Sequence, residues 1–322
     1  MTIISLLPGT LVPATAPTLY FIGVTTASSS IQAVFPRWAE QLGLTGALLK
    51  GIDLPLHADA EDYRRVVDFI ARDQLSLGAL VTTHKIDLFN ACKDMVDILD
   101  PFALLMGETS CISKRDGLLI CHAKDPISSG LALDSFVPAD YWMGQGEEAL
   151  CMGAGGSTIA ISWYLSRAAA GENRPRRIIV TNRSAARLDH IREIHASLDT
   201  TTEFDYELVP SAADNDVVLA GLSPGALVVN ATGLGKDAPG SPLTDRAVFP
   251  ERSIAWDLNY RGDLVFLDQA RRQQAERALQ IEDGWVYFLH GWMQVIAEVF
   301  DTVIPTSGPA FDVLGELART GR

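Results

Sequence analysis

EALCMGAGGSTIAISWYLSRAAAG, residues 148–171, is the stretch that decides the fold. Its opening, Glu148 to Met152, is a short apolar run that reads as a buried strand, and the apolar residues from Ile159 onward read as a helix. Between them lies the turn Gly153-Ala154-Gly155-Gly156-Ser157. A glycine turn that leaves a strand and opens a helix is the context of a phosphate-binding loop. Gly153 permits the tight turn, Gly155 lets the backbone approach a pyrophosphate, and the helix start presents free N–H groups to the charge. The third glycine of the full G-x-G-x-x-G pattern is Thr158 here, so the motif alone also fits an ordinary strand-to-helix turn.

The next strand, PRRIIVTNR (175–183), narrows the choice. It runs into Thr181-Asn182-Arg183-Ser184-Ala185-Ala186-Arg187, where an NAD-binding turn carries an acidic residue for the ribose 2′-hydroxyl. Neither Asp nor Glu occurs there. Arg183, Ser184 and Arg187, following Asn182, instead offer two guanidinium groups and a hydroxyl to a 2′-phosphate, and Arg183 can also stack on an adenine face. These residues favour NADP(H) over NAD(H). A charged helix is expected from about Ala185 to Leu198, and EFDYELV (203–209), GALVVNAT (225–232) and SIAWDL (253–258) read as further buried strands. Alternation of this kind gives a doubly wound parallel sheet with right-handed crossovers, a Rossmann-type domain.

Upstream the pattern is also α/β. TLYFIGV (18–24) reads as a strand, TTASSS (25–30) as a turn, and a helix is expected from Ile31 with Ala33, Val34, Trp38 and Leu42 at helix-like spacing. GALLKGIDL (46–54) and GALVTT (78–83) are strands, and DAEDYRRVVDFIARD (59–73) is an amphipathic helix with Tyr63, Val66, Val67 and Ile70 on its apolar face. IDLFNACKDMVDIL (86–99) reads as one helix with Pro101 just past its end. ETSCISKR and GLLICHA, joined at Asp116-Gly117, form a hairpin. PADYWMGQGEEA (138–149) is a connector. WVYFLHGWMQVIAEVF (285–300) is apolar nearly all round, which predicts a buried helix packing back on the first domain. Two domains are expected: residues 1–132, completed by 284–322, and the Rossmann-type unit 133–283.

Composition excludes several classes. Of 322 residues, 40 are acidic and 26 are Lys or Arg, a net charge of −14 that argues against coating nucleic acid. The four cysteines show no CxxC spacing and the histidines no HxxxH pattern, so no metal is expected and the thiols read as reduced. The N-terminus lacks a basic n-region and is broken by Pro8, Pro13 and Pro17. No apolar run reaches the roughly 18 residues of a spanning helix, so a cytoplasmic protein without membrane contact is expected.

Five segments together resemble the shikimate dehydrogenase family: YFIGVTTASSS; ALVTTHK, similar to N-V-T-x-P-x-K; LDPFALLMGETSCI, similar to the segment ending in G-A-V-N-T; CHAKDPISSG, similar to N-T-D-G; and the series GAGGS, TNRSAAR, VVNATGLG and WDLNY. The resemblance implies an N-terminal domain that binds a cyclic hydroxy acid, a second domain that binds NADP, and a role in aromatic amino acid biosynthesis. It also implies a catalytic Lys and Asp facing each other in the cleft, matched here by Lys85 and Asp125. Oxidising a secondary alcohol sends a hydride to the nicotinamide while the hydroxyl loses a proton. A lysine that takes or relays that proton, steadied by a carboxylate, suits the task. Without the resemblance, Lys85 reads as an exposed helix-start lysine and Asp125 as a loop carboxylate before Pro126.

Departures cluster in the substrate half. The family's two first-turn serines become Ser29 and Ile31, and the preceding His becomes Ser28. The asparagines of N-V-T, G-A-V-N-T and N-T-D become Ala79, Ser110 and Ala123, and Cys111 replaces a threonine. Each lost polar partner costs roughly 1–3 kcal/mol against a polyhydroxylated ring, so a less hydroxylated or differently charged ring acid is expected. D-x-x-Y makes Tyr260 a candidate substrate contact and places Thr232 on the cofactor side. The family's C-terminal glutamine falls on Gly291, with Gln294 the nearest amide. The leading reading is an NADP-dependent dehydrogenase, monomer or homodimer, acting on a small cyclic hydroxy acid. A catalytically degenerate ligand-binding or regulatory module of the same fold is the alternative.

Overall fold

The structure, a computed structural model, describes residues 6–144, 147–235 and 238–319. Residues 1–5 of the N-terminal segment and residues 145–146 of the connector lie outside the described residues. The chain forms two compact units, Met1–Lys124 with Gly291–Arg322, and Asp125–His290.

The first unit holds six strands: β1 (Thr18–Gly23), β2 (Leu48–Asp53), β3 (Ser76–Val81), β4 (Ile98–Leu99), β5 (Cys111–Arg115) and β6 (Leu118–His122), in the order β2-β1-β3-β5-β6-β4. β1 is buried along its whole length and pairs in parallel with β2 and β3. β5 and β6 form the expected hairpin, with Asp116 and Gly117 both at positive φ (51° and 80°), the backbone that a two-residue turn demands. On the helix Ala60–Arg72, Tyr63, Val66, Val67 and Ile70 are all buried against Tyr20, Ile22 and Ile52. Each such side chain contributes roughly 2 kcal/mol by leaving water.

Two sequence expectations fail here. The helix expected over 86–99 spans only Lys85–Cys92, and Ile98–Leu99 pairs with β6 as a strand. Pro101 starts a helix, Pro101–Met106, rather than following one. Its ring suits the first helical position, where no N–H is needed, and Asp100 caps it by accepting from Ala103 N–H at 2.6 Å. The C-terminal stretch from Gly291 belongs to the first unit, whereas residues 284–290 fall in the second. Trp38 is fully buried and donates its indole N–H to the Leu314 carbonyl at 2.8 Å, on the helix Pro309–Arg319.

The second unit carries β7 (Glu148–Met152), β8 (Arg177–Asn182), β9 (Glu203–Leu208), β10 (Leu227–Asn230), β11 (Ile254–Asp257) and β12 (Gln280–Glu282). Their order is β12-β11-β10-β7-β8-β9 with every pairing parallel, the doubly wound arrangement. Its order reverses between β7 and β10, and ligands of such sheets bind beyond the strand ends at that point. The helix Asp125–Phe136 belongs to this unit and packs tightly on the helix Gly156–Ser166: a Cβ at Gly130 would lie 2.1 Å from the Tyr164 ring. Asp125 is therefore a buried first helical residue and not a loop carboxylate. Among the described residues no helix is long and apolar enough to cross a membrane, and no cluster of potential metal ligands occurs.

Candidate functional site

At the end of β7 the chain turns through Gly153 at φ +107°, and a Cβ there would sit 2.7 Å from the Ala231 carbonyl oxygen. Glycine is required. Gly153 N–H donates to the Thr181 carbonyl at 2.8 Å and Ala231 N–H to the Met152 carbonyl at 2.9 Å, joining the exits of β7, β8 and β10. Ala154 is buried beneath the turn. Gly155 precedes the helix Gly156–Ser166, and a Cβ on it would meet nothing within 4 Å, so the space over the helix start is open. Thr158, at the third glycine position, is fully buried and donates its hydroxyl to the Gly153 carbonyl at 2.8 Å. That bond ties helix to turn where glycine would otherwise allow close packing.

Beyond β8, Asn182 Oδ1 accepts from Ser184 N–H at 2.9 Å, and Ser184 Oγ accepts from Arg187 N–H at 3.4 Å as the cap of the helix Ala185–His195. Arg183, Ser184 and Arg187 are exposed. Arg176, Arg177 and Arg192 each hold a carboxylate, whereas Arg183 and Arg187 pair with none among the described residues. Two uncompensated guanidiniums, an open helix start and a glycine cradle fit a dinucleotide bearing an extra phosphate.

The exits of β10 and β11 are knotted together. Thr232 donates its hydroxyl to Asn230 Oδ1 at 2.7 Å, Asn230 donates to Asp257 Oδ1 at 3.2 Å, and Asn259 N–H donates to the same oxygen at 2.9 Å. Asp257 is fully buried and its Oδ2 has no partner among the described residues; burial pushes its carboxyl up to about 6. The Tyr260 ring packs against Trp285 and Phe288, with centroids 5.7 and 4.6 Å away.

Asp125 is linked to the glycine turn within this unit. Tyr287 donates its hydroxyl to Asp125 Oδ2 at 3.4 Å, and Ser157 Oγ lies 3.3 Å from the same phenol oxygen. Two hydrogen bonds separate the candidate acid from the first turn of the Gly156–Ser166 helix. Tyr287 escapes sequence reading because its phenol hides in an aromatic, apolar helix; the signal is one hydroxyl three residues after Gly284.

In the first unit, Lys85 is half-buried at the start of its helix, and its carbonyl accepts from Thr109 N–H at 3.1 Å. Its neighbour His84 is buried, bonds Tyr63 through Nδ1 at 2.9 Å, and is held neutral by burial, which lowers its pKa. Thr83 is at φ +54°, beyond the reach of the proline found there in the N-V-T-x-P-x-K pattern. Ser110 is buried and its Oγ accepts from Lys124 N–H at 2.7 Å, so Lys85, Ser110 and Lys124 are joined through one segment. Ala79 and Ala123 are fully buried. Lys124, missed in the sequence, pairs with Glu298 at 2.6 Å, and His122 and Arg115 lie 3.5 Å from that carboxylate. Burial works against the Glu298 charge, but the Lys124 hydrogen bond and the surrounding cations outweigh it and hold the carboxyl low. Ser29 and Gln294 are half-buried, Ser29 just before the helix Ile31–Gln41 and Gln294 on the helix Trp285–Val299.

No protein-family model matches the chain. The shikimate dehydrogenase (NADP(+)) of Lactococcus lactis subsp. cremoris (strain MG1363) is 28% identical over 182 residues, 56% of this chain and 60% of that protein. The enzyme of the same name from Paracidovorax citrulli (strain AAC00-1) is 30% identical over 216 residues, 66% of this chain and 67% of that protein. The chain belongs to the shikimate dehydrogenase family. It spans about 60% of the length of the first curated relatives of that family that it matches. A crystal structure of a shikimate dehydrogenase in complex with NADP+ superposes with a TM-score of 0.70 at 19% identity, covering 96% of this chain and 97% of that one, a likeness of fold.

Proposed function

We propose that this member of the family is an NADP(H)-dependent dehydrogenase that interconverts a secondary alcohol and a ketone on a cyclic acid related to shikimate. The observation that carries the reading is the hydrogen-bonded path from Asp125 through Tyr287 to Ser157, which sets a buried carboxylate beside the start of the glycine-turn helix. Gly153, Ala154, Gly155, Gly156 and Ser157 hold the dinucleotide phosphates, and Asn182, Arg183, Ser184 and Arg187 take the 2′-phosphate end, with Thr232 closing the turn beyond β10. Bound NADP(H) accepts or supplies the hydride. Lys85 takes the hydroxyl proton in the oxidative direction, and Asp125 steadies charge and orientation. Ser29, Ser110, Tyr260 and Gln294 are the proposed substrate contacts.

The small, buried Ala79 and Ala123, and the Ser110 hydroxyl already bonded to the Lys124 backbone, leave fewer groups for ring hydroxyls than the family pattern offers. The substrate is therefore a ring acid with fewer or differently placed hydroxyls. The same observation favours the second reading, a ligand-binding module without turnover. Purified protein mixed with NADP+ and a panel of alicyclic hydroxy acids is expected to give rising absorbance at the wavelength of reduced nicotinamide. Thermal stabilisation by such acids with no absorbance change across the panel supports the module instead.

A further inference from the structure

The hydroxyl of Tyr287 stands between two groups to which the proposed reaction gives separate tasks. A phenol carries a single hydrogen, and Tyr287 commits it to Asp125 Oδ2. Ser157, whose Oγ lies 3.3 Å from the phenol oxygen, is then the donor of the second bond. The chain runs one way, from Ser157 through Tyr287 to Asp125, and each donor polarises the next toward the carboxylate. Its ring contact does not use that oxygen. The Tyr287 ring meets Trp256 edge to face, at 6.0 Å and 85°, a contact that phenylalanine would keep. Neighbouring Trp285, Phe288 and Leu289 are all ring or hydrocarbon.

We propose that Tyr287 is a positioning residue for Asp125, tying the orientation of the carboxylate to the first turn of the cofactor-binding helix. This rests on the dehydrogenase reading. Ser157 occupies the helix start that receives the cofactor's phosphates, so the state of that end and the aim of the acid meet in one phenol.

Tyr287→Phe and Ser157→Ala are compared with wild type in three measurements. These are kinetics across pH, NADPH affinity by fluorescence, and 13C NMR titration of the Asp125 carboxyl, with Asp125→Asn assigning its resonance. Removing a donor from an anion disfavours the charged form. Tyr287→Phe is therefore expected to raise the Asp125 midpoint by half a pH unit or more and to move the acid limb of the rate profile the same way. A fall in kcat of about 10- to 100-fold is expected, with NADPH affinity held within twofold. Ser157→Ala is expected to move the midpoint and kcat in the same direction by less and, because its hydroxyl also faces the phosphates, to weaken NADPH binding; its carboxyl titration alone carries the test should Tyr287→Phe not fold. Wild-type kcat with an unmoved midpoint overturns the proposal, and so does, in Tyr287→Phe, a loss of NADPH affinity as large as the loss of kcat. If the wild type turns over no acid in the panel, the dehydrogenase reading fails. The carboxyl titration still decides the Tyr287 contact, with an unmoved midpoint overturning it.

Discussion

At the end of β7 the chain turns through Gly153, a residue with no side chain to strain, and its backbone bonds bind three strand exits together. At the end of β3 it turns through Thr83, a β-branched residue at φ +54°, and the loop is anchored by side chains, with buried His84 bonded to Tyr63. A left-handed, β-branched residue costs on the order of 1–3 kcal/mol. The first exit is shaped by backbone and, in the proposed function, meets the phosphates of the dinucleotide. The second is shaped by side chains, and it lies among the positions where the family's amides have become Ala79, Ser110 and Ala123. On the proposed reading, the cofactor exit keeps the family's pattern while the substrate-side loop departs from it.

Four substitutions bear on that contrast. Lys85→Ala is expected to lower turnover at least about 1,000-fold with an unchanged melting temperature; near-wild-type kcat would mean that the rebuilt loop no longer serves catalysis. Replacing both Arg183 and Arg187 by alanine should raise the KM for NADP+ by about 10- to 100-fold and leave that for NAD+ within threefold, since only the 2′-phosphate loses charge-assisted bonds. Equal losses for both cofactors would show the two arginines serving something other than the 2′-phosphate. Thr83→Pro, which restores the family's residue, should destabilise the protein by about 3 kcal/mol in a urea titration, because proline cannot reach positive φ. A neutral result would mean that the two exits differ less than their backbones imply.

The smallest effect concerns the knot beyond β11. Burial raises the Asp257 carboxyl from 3.8 to about 6, so ionising it works against the fold. This contribution is absent below the unfolded value, grows as pH rises from about 4 to 6, and is fully present above that. Asp257→Asn should remove that slope, worth on the order of 2 kcal/mol at neutral pH, as read by denaturation at pH 4, 5, 6 and 7. An identical slope in the variant would assign the pH dependence elsewhere.

Periodicity made most of the frame legible. β1, β2, β3, the β5–β6 hairpin and β7 to β11 lie where their sequences predict strands, but β9 is an edge strand with none of its residues buried, contrary to the buried strand expected of EFDYELV. β4 and β12 did not stand out, because strands of two and three residues show no alternation, and IDLFNACKDMVDIL keeps an apolar spacing past the point where Cys92 ends the helix. Pro101 carries two meanings, stop and start, and the deciding group is the Asp100 carboxylate before it. The glycine turn at the end of β7 and the two arginines beyond β8 lie where their motifs place them, because backbone geometry and charge are written in residue type. Tyr287 and the Lys124–Glu298 pair were not legible, since each contact joins residues more than 160 positions apart and neither partner belongs to a local motif.

The first unit is discontinuous: Trp38 finds the acceptor for its indole N–H only at Leu314, while the second unit is one unbroken run, Asp125–His290. During synthesis the later stretch can complete its sheet while the earlier one waits. At roughly 5–20 residues per second that interval lasts on the order of ten seconds or more. Throughout it, Phe21, Phe35 and Trp38 lack the ring and carbonyl partners that Trp292, Phe300 and Leu314 later supply. The nascent amino-terminal half is thus the part most in need of a chaperone, and removing the final helix should leave Trp38 without its carbonyl partner permanently.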